Sequence, residues 1–329
     1  MKVKHSLLNY RQLLFMRHCC SGAPVICHTV RQIQGDFMKK KLIIVGALTL
    51  IASLFPDIVA RELVGFLPSW WFLAKAVLLI VGILYLFVGA GERNLAKYGF
   101  VLTVIIVVQI IVGQIETSAW WQSFFLPESF SGQFGEAILL KFLGIIPVAG
   151  ALLLLYRSPR KVYLVKGDLS VKASRIVWLG IEEGRISWGR LSVVSALLIA
   201  VGTILLTVLT VTGLSQPATL ERLPRLLPLI VLFALVNSFS EGVVYRSSVL
   251  GPLKEAIPKD YLVVVSSAFF GVAHYYGAPG GIIGVIMSGL LGWYMCRSMY
   301  ETQGFVSAWI IHFFQDIVIF STIAVLGEF

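Results

Sequence analysis

Charge is what this chain has least of. Only 13% of its 329 residues are Asp, Glu, Lys or Arg, where a soluble domain carries about 25%. No hydrophilic stretch is long enough to form a separate soluble domain, which excludes one large water-soluble core. Cysteine is scarce as well: Cys19, Cys20, Cys27 and Cys296 are the only four. None has zinc-finger spacing backed by histidines, no disulfide framework is visible, and they are assigned no role. No small-residue cleavage site follows a short apolar core, so no cleavable signal is read. The net charge of +10 could suggest a nucleic-acid partner. The basic residues instead cluster in loops on one side of the expected membrane, and a nucleic-acid partner is set aside.

Apolar residues make up 57% of the chain, and the mean hydropathy is +0.86. That composition implies an all-α, multi-pass transmembrane bundle. About nine spans are expected, each needing roughly 20 residues to cross. They are Leu42–Ala60, Trp71–Ala90, Tyr98–Ile115, Glu136–Tyr156, Leu191–Gly213, Leu226–Leu250, Tyr261–Tyr275, Gly280–Cys296 and Gly304–Val325. The seventh and eighth are short, and a tilted or partly re-entrant path is open to them.

Four regions follow. Residues 1–41 read as a basic cytoplasmic tail, irregular up to residue 37; a start of translation at Met38, before Lys39-Lys40-Lys41, is the competing reading. Residues 42–156 form a four-span front half. Residues 157–190 form a basic cytoplasmic linker, with Trp178 and Trp188 among apolar residues that could also lie on the inner leaflet. Residues 191–329 form a five-span rear bundle. With the N-terminus in the cytoplasm, 22 of the 27 basic residues fall inside, and the outer loop Glu116–Gly135 has none. Trp70, Trp71, Trp120 and Trp121 then fall near outer span ends, as in an aromatic belt. Asp57, Lys75 and Lys141 are expected to snorkel to the interface.

A carboxylate within a membrane-length helix is expensive and marks a functional site by default. Glu241 is such a residue. On an α-helix, positions three and four apart share a face. Asn237, Glu241, Tyr245 and Ser248 therefore form one polar stripe. Ser267, Phe270 and His274 form a second, and Trp309, His312 and Asp316 a third. At 1.5 Å per residue, Glu241 lies roughly 20 Å from Lys254, His274 roughly 20 Å from Asp260, and His312 and Asp316 roughly 12 and 18 Å from Gly304. Three polar faces at similar depth imply a shared interior pocket, since lipid contact would leave these groups unsatisfied. Gly280, Gly284, Ser288 and Gly292 form a small-residue stripe suited to close helix packing.

Three segments carry a resemblance: Glu241-Gly242-Val-Val-Tyr-Arg246, Phe270-Gly-Val-Ala-His274 and His312-Phe-Phe-Gln-Asp316. In order and on successive apolar segments, they resemble the Glu-Glu-x-x-x-Arg, Phe-x-x-x-His and His-x-x-x-Asn/Asp motifs of the CAAX-protease and bacteriocin-processing (CPBP, Abi-type) intramembrane proteases. The resemblance covers roughly residues 226–325. It implies a membrane-embedded endopeptidase in which Glu241 and His274 would activate a water. His312 with Asp316 would stabilise the oxyanion, with Asp316 fixing the tautomer of His312. Arg246, Tyr245, Asn237 and Phe270 would support the pocket.

The chain departs from the pattern at Gly242, where the family has its second Glu. On a regular helix Gly242 and Arg246 share a face that Glu241 does not. Arg246 is then left to snorkel or find another partner, and Glu241 keeps the pocket.

No cofactor is required in the glutamate mechanism. A zinc ion held by Glu241, His274 and His312, with Asp316 behind them, is the alternative. Other intramembrane protease signatures are missing: there is no His-Glu-x-x-His and no Gly-x-Gly-Asp, and Ile286 breaks a Gly-x-Ser-Gly around Ser288. The expected partners are membrane lipids and a peptide or protein substrate, prenylated or membrane-anchored; the expected location is a bacterial plasma membrane. The rival functions are a non-catalytic scaffold or immunity protein of the same fold, and a proton-coupled transporter. No inverted repeat speaks for transport.

Overall fold

The computed structural model describes residues 24–125, 129–210, 221–277 and 279–326. Cys19 and Cys20, and the end of the expected fifth span, lie outside them. Twelve α-helices occur among the described residues. They are α1 (Pro24–Ala52), α2 (Phe55–Val64), α3 (Trp71–Leu84), α4 (Arg93–Glu116), α5 (Ala119–Gln122), α6 (Phe130–Tyr156), α7 (Trp188–Thr210), α8 (Leu223–Gly242), α9 (Ser248–Leu253), α10 (Lys259–Val272), α11 (Gly281–Thr302) and α12 (Val306–Leu326). The chain divides into two units, residues 1–47 and 48–329. In the first, the part described is helical from Pro24. The expected irregular tail is therefore helix over residues 24–37.

Among the described residues, seven helices are long and apolar enough to cross a membrane, and an eighth span results if α1 and α2 count as one broken crossing. The expected span that falls outside this count is the seventh, Tyr261–Tyr275, which is α10. Its 14 residues extend about 21 Å, short of the roughly 30 Å hydrocarbon core. The expected eighth span, by contrast, is a full 22-residue helix. Integral membrane character and an all-helical architecture thus follow from the same apolar runs that the sequence displays.

In the second unit, α6, α8 and α12 meet around Phe130, Ile138, Phe233 and Phe320; the Phe233 ring lies 5.7 Å from that of Phe130 and 6.3 Å, edge-on, from that of Phe320. The other main packings pair α3 with α4, α10 with α11, and α7 with α12. The glycine stripe acts as expected at the α10–α11 contact. A Cβ on Gly271 would sit 2.6 Å from the Val285 carbonyl oxygen, and one on Gly292 would sit 2.8 Å from the Phe270 ring. Gly292 therefore lets the ring of Phe270 lie against α11.

Asp57 and Lys75 do not snorkel. They form a buried pair at 2.9 Å, capped by the indole of Trp71 and the carbonyl of Ser53. A lone charge at either place would be costly in an apolar setting, and each neutralises the other.

The 157–190 linker is folded onto the ends of α11 and α12. Glu301 collects the Ser174 amide (3.0 Å), the Trp188 indole (2.8 Å), Lys259 (2.7 Å) and Arg297 (3.0 Å). The Asp168 amide donates to the Thr302 carbonyl at 2.8 Å, and the Phe305 amide to the Val165 carbonyl at 2.7 Å. Hydrogen bonds from the Ser170 hydroxyl and amide hold the exposed Asp168 carboxyl below its ordinary range. Gly167, at φ +79°, lies so close to Gly304 that a side chain on either would strike backbone. This contact fixes where α12 begins, and hence where Phe305 stands.

Candidate active site

Glu241 is on the last turn of α8, His312 and Asp316 are on α12, and His274 lies in the turn just past the end of α10. The packing of these helices brings the four side chains together. Glu241 Oε2 is 3.5 Å from His312 Nε2 and 3.9 Å from His274 Nε2, and His312 Nε2 is 3.6 Å from Asp316 Oδ1. Asn237 Nδ2 donates to Asp316 Oδ2 at 3.1 Å. Phe270 sits at the centre. Its ring is 4.4 Å from His274, 5.6 Å and perpendicular to His312, and 5.5 Å from Tyr245. Ser267, on the second polar stripe, is buried with its hydroxyl unpaired, and Trp309 packs on Phe239 and Phe305 instead of reaching these groups.

Two residues behave differently from the sequence expectation. Lys141, expected at the interface, lies near the middle of α6, roughly 17 Å along it from Phe130. Its ammonium reaches Glu241 Oε1 at 2.9 Å and Asn237 Oδ1 at 2.6 Å. The sequence offered one signal for this: a lysine that deep in a span needs a counter-charge.

Arg246, expected to point away from Glu241, is 1% exposed and turned inward. Its Nη2 is 3.0 Å from His312 Nδ1, and its guanidinium lies 5.2 Å from the centre of the Phe270 ring. The cause is a widened turn. Residues Val243–Ser247 form one turn of π-helix between α8 and α9. On a regular α-helix Arg246 would stand about 140° round from Glu241. The i→i+5 spacing brings it back beneath Glu241.

Gly242 explains why Arg246 reaches for a histidine. A Cβ at Gly242 would lie 2.8 Å from Phe305 Cε2 and nearer still to Cζ, and 3.4 Å from Arg246 Nη2. The Phe305 ring, held in place by the linker, occupies the room a second glutamate would need. Arg246 Nε and Nη1 accordingly find no hydrogen-bond partner among the described residues.

Donor chemistry then sets the tautomers. A guanidinium only donates, so His312 Nδ1 accepts and its proton resides on Nε2. Asp316 lies on the Nε2 side of that ring, so Arg246, not Asp316, fixes the tautomer. In His274, Nδ1 lies 2.8 Å from the Phe270 carbonyl oxygen and donates to it, leaving Nε2 as acceptor. Glu241 Oε2 has no hydrogen-bond partner among the described residues. It therefore faces one imidazole that accepts and one that donates.

A cavity of about 320 Å³ reaches Glu241. Leu140, Gly144 and Val148 of α6 line it, with Val108 and Val112 of α4; Lys141, Glu241 and Tyr245 line it too, and Gln109, Glu116 and Ser240 add further polar groups. The front half of the chain is therefore one wall of the site.

Fold and site together define an integral membrane protein of many helices with an ionisable cluster where α6, α8 and α12 and the end of α10 meet. Residues 223–318 match the family model described as Type II CAAX prenyl endopeptidase, Rce1-like, in agreement with the resemblance to the CPBP family. That is a family of membrane endopeptidases, and the matched segment contains Glu241, Arg246, His274, His312 and Asp316. Residues 1–222, Lys141 among them, lie outside the match. No curated protein and no solved structure matches the chain significantly.

Proposed function

We propose that the chain is an intramembrane endopeptidase in which Glu241 is the general base. The observation that carries this reading is Glu241 Oε2, unpaired and aimed between His274 Nε2 at 3.9 Å and His312 Nε2 at 3.5 Å. Hydrogen bonds of about 2.8 Å from one water to Glu241 Oε2 and His274 Nε2 span that 3.9 Å gap at roughly a right angle. Both of the water's protons are then engaged, and its lone pair is free to attack.

As the water oxygen bonds to the scissile carbonyl carbon, its proton passes to Glu241 and the C=O electron pair moves onto oxygen. The Nε2–H of His312 faces that developing charge, and a preorganised donor there is worth about 10²–10³ in rate. Collapse restores the carbonyl, breaks the C–N bond, and the proton on Glu241 moves to the leaving amine. Arg246 keeps the His312 proton on Nε2. Asp316, tied to Asn237, stands beside it.

A zinc ion on Glu241, His274 and His312 fits this arrangement poorly. Metal binding through His312 Nε2 would require Nδ1 to carry the proton, and Nδ1 faces an arginine nitrogen at 3.0 Å that can only donate. Lys141 also occupies the other oxygen of Glu241.

The cavity and the family description support a peptide carrying an apolar anchor as substrate, a prenyl chain among the options. The test compares wild type with Glu241→Gln, His274→Ala and His312→Ala in proteoliposomes, using an internally quenched farnesyl-cysteine peptide and the membrane-peptide profile of expressing cells. Loss of a cleavage product in all three variants supports the reading. A product unchanged in all three refutes it and leaves the chain a scaffold; loss of solute uptake without any change in cleavage favours a proton-coupled carrier.

A further inference from the structure

We infer that Lys141, contributed by the front half of the chain, is the positioning residue for the catalytic carboxylate, so that the four-span front region is an obligatory part of the active site. The inference rests on the endopeptidase reading above and deepens it.

Three observations carry it. First, the Lys141 ammonium binds one oxygen of Glu241 only: Oε1 at 2.9 Å, with Oε2 left to the two histidines. A carboxylate free to spin would present either oxygen. One pinned at Oε1 presents Oε2 in a fixed direction, and it is the direction that matters, since a misplacement of about 1 Å can cost 10²-fold in rate. Second, the same ammonium binds Asn237 Oδ1 at 2.6 Å, which turns the amide so that Nδ2 donates to Asp316 at 3.1 Å. One lysine therefore orients both carboxylates of the site, Glu241 directly and Asp316 through Asn237. Third, Lys141 is one of the residues lining the 320 Å³ cavity, and its side chain is 45% exposed. A merely structural ion pair would be expected to be closed over, as Asp57–Lys75 is at 3% and 5%.

Charge count agrees. With Gly242 in place of a second glutamate, Arg246 takes His312 as its partner and offers Glu241 no hydrogen bond. Among the described residues Lys141 is the one cation hydrogen-bonded to Glu241.

The experiment uses the full chain in proteoliposomes with the quenched farnesyl-cysteine peptide. Wild type is compared with Glu241→Gln, Lys141→Met, Lys141→Arg and Lys141→Ala, and thermal melting is recorded for each. The expected result for Lys141→Met is a fall in kcat of about 10²-fold with KM changed by less than about threefold. Lys141→Arg, which keeps charge and donors, recovers part of that loss. Lys141→Ala is rescued in a saturable manner by added propylamine, which can enter through the cavity; a packing defect would not respond to an amine.

If wild type cleaves, Glu241→Gln does not, and Lys141→Met turns over like wild type, the role of Lys141 is wrong and the endopeptidase reading stands. Should Lys141→Ala lose activity without amine rescue while Lys141→Arg is equally inactive, Lys141 is structural only and the inference falls. If wild type and Glu241→Gln are alike, the endopeptidase reading fails and this inference goes with it.

Discussion

Replacing Gly242 with alanine tests whether the Phe305 ring, and not an empty space, stands where the family's second glutamate belongs. Two effects oppose each other. Within a helix, Gly→Ala gains about 0.8–1.0 kcal/mol from backbone entropy and propensity. Against this, the new methyl would meet Phe305 Cε2 at 2.8 Å and Cζ closer still, and overpacking typically costs about 1–3 kcal/mol.

The ring has little freedom to yield. Phe305 is 5% exposed, its amide is fixed to Val165, and Phe239 and Trp309 stack on it at 5.2 and 6.3 Å. The steric term therefore wins, and the net change expected is a loss of about 1–2 kcal/mol, read as a drop of a few degrees in the melting temperature in detergent. Gly113→Ala on α4 supplies the contrast, because nothing lies within 4 Å of its Cβ; it should melt at or above wild type.

The sign should also invert in a second background. With Phe305→Leu the ring is gone, and Gly242→Ala introduced there should stabilise. A cycle of the four proteins then reports a coupling of about 1–3 kcal/mol between neighbours. Equal melting of Gly242→Ala and wild type, or the same sign in both backgrounds, would refute the argument that Phe305 excludes a second carboxylate.

Arg246→Met removes the donor at His312 Nδ1 and frees the tautomer; the expected outcome is a rate loss of about 10–100-fold with KM nearly unchanged, and a loss of the single His312 NMR tautomer signature that wild type should show. Lys75→Met leaves Asp57 buried and uncompensated, which should cost about 3–5 kcal/mol, while the double variant Asp57→Asn/Lys75→Met should recover most of that stability; melting curves of the three decide it. Incubation with EDTA or 1,10-phenanthroline should leave cleavage of the farnesyl-cysteine peptide within about twofold of untreated enzyme, and a tenfold fall reversed by zinc would overturn the metal-free reading.

What the sequence made legible and what it hid separate along one physical line. Glu241, His274, His312 and Asp316 could be named from spacing because each is a polar residue in an apolar run. The cost of exposing such groups to lipid leaves them few places to go but toward each other. The glycine stripe on α11 was legible for the same kind of reason, since small residues at intervals of four admit a close neighbour. Lys141 was hidden. Its partner is 100 residues away on another helix, and nothing in a single sequence says which two helices will lie side by side. Snorkelling and pairing are alternative answers to the same buried charge, and only packing chooses between them.

Arg246 was hidden by a different mechanism. Face assignments assume 100° per residue, and a single widened turn at Val243–Ser247 breaks that assumption within the motif itself. The motif's own spacing contains the consequence: a glutamate and an arginine five positions apart are badly placed on an α-helix and well placed across one π turn. In a chain where the intervening second glutamate has become glycine, that turn does more than satisfy the arginine. It delivers the guanidinium to the far nitrogen of His312 and so decides which nitrogen keeps the proton. The departure from the family pattern at Gly242 thus changes what Arg246 holds, from a carboxylate to an imidazole, and leaves the orientation of Glu241 to a lysine from the other half of the chain.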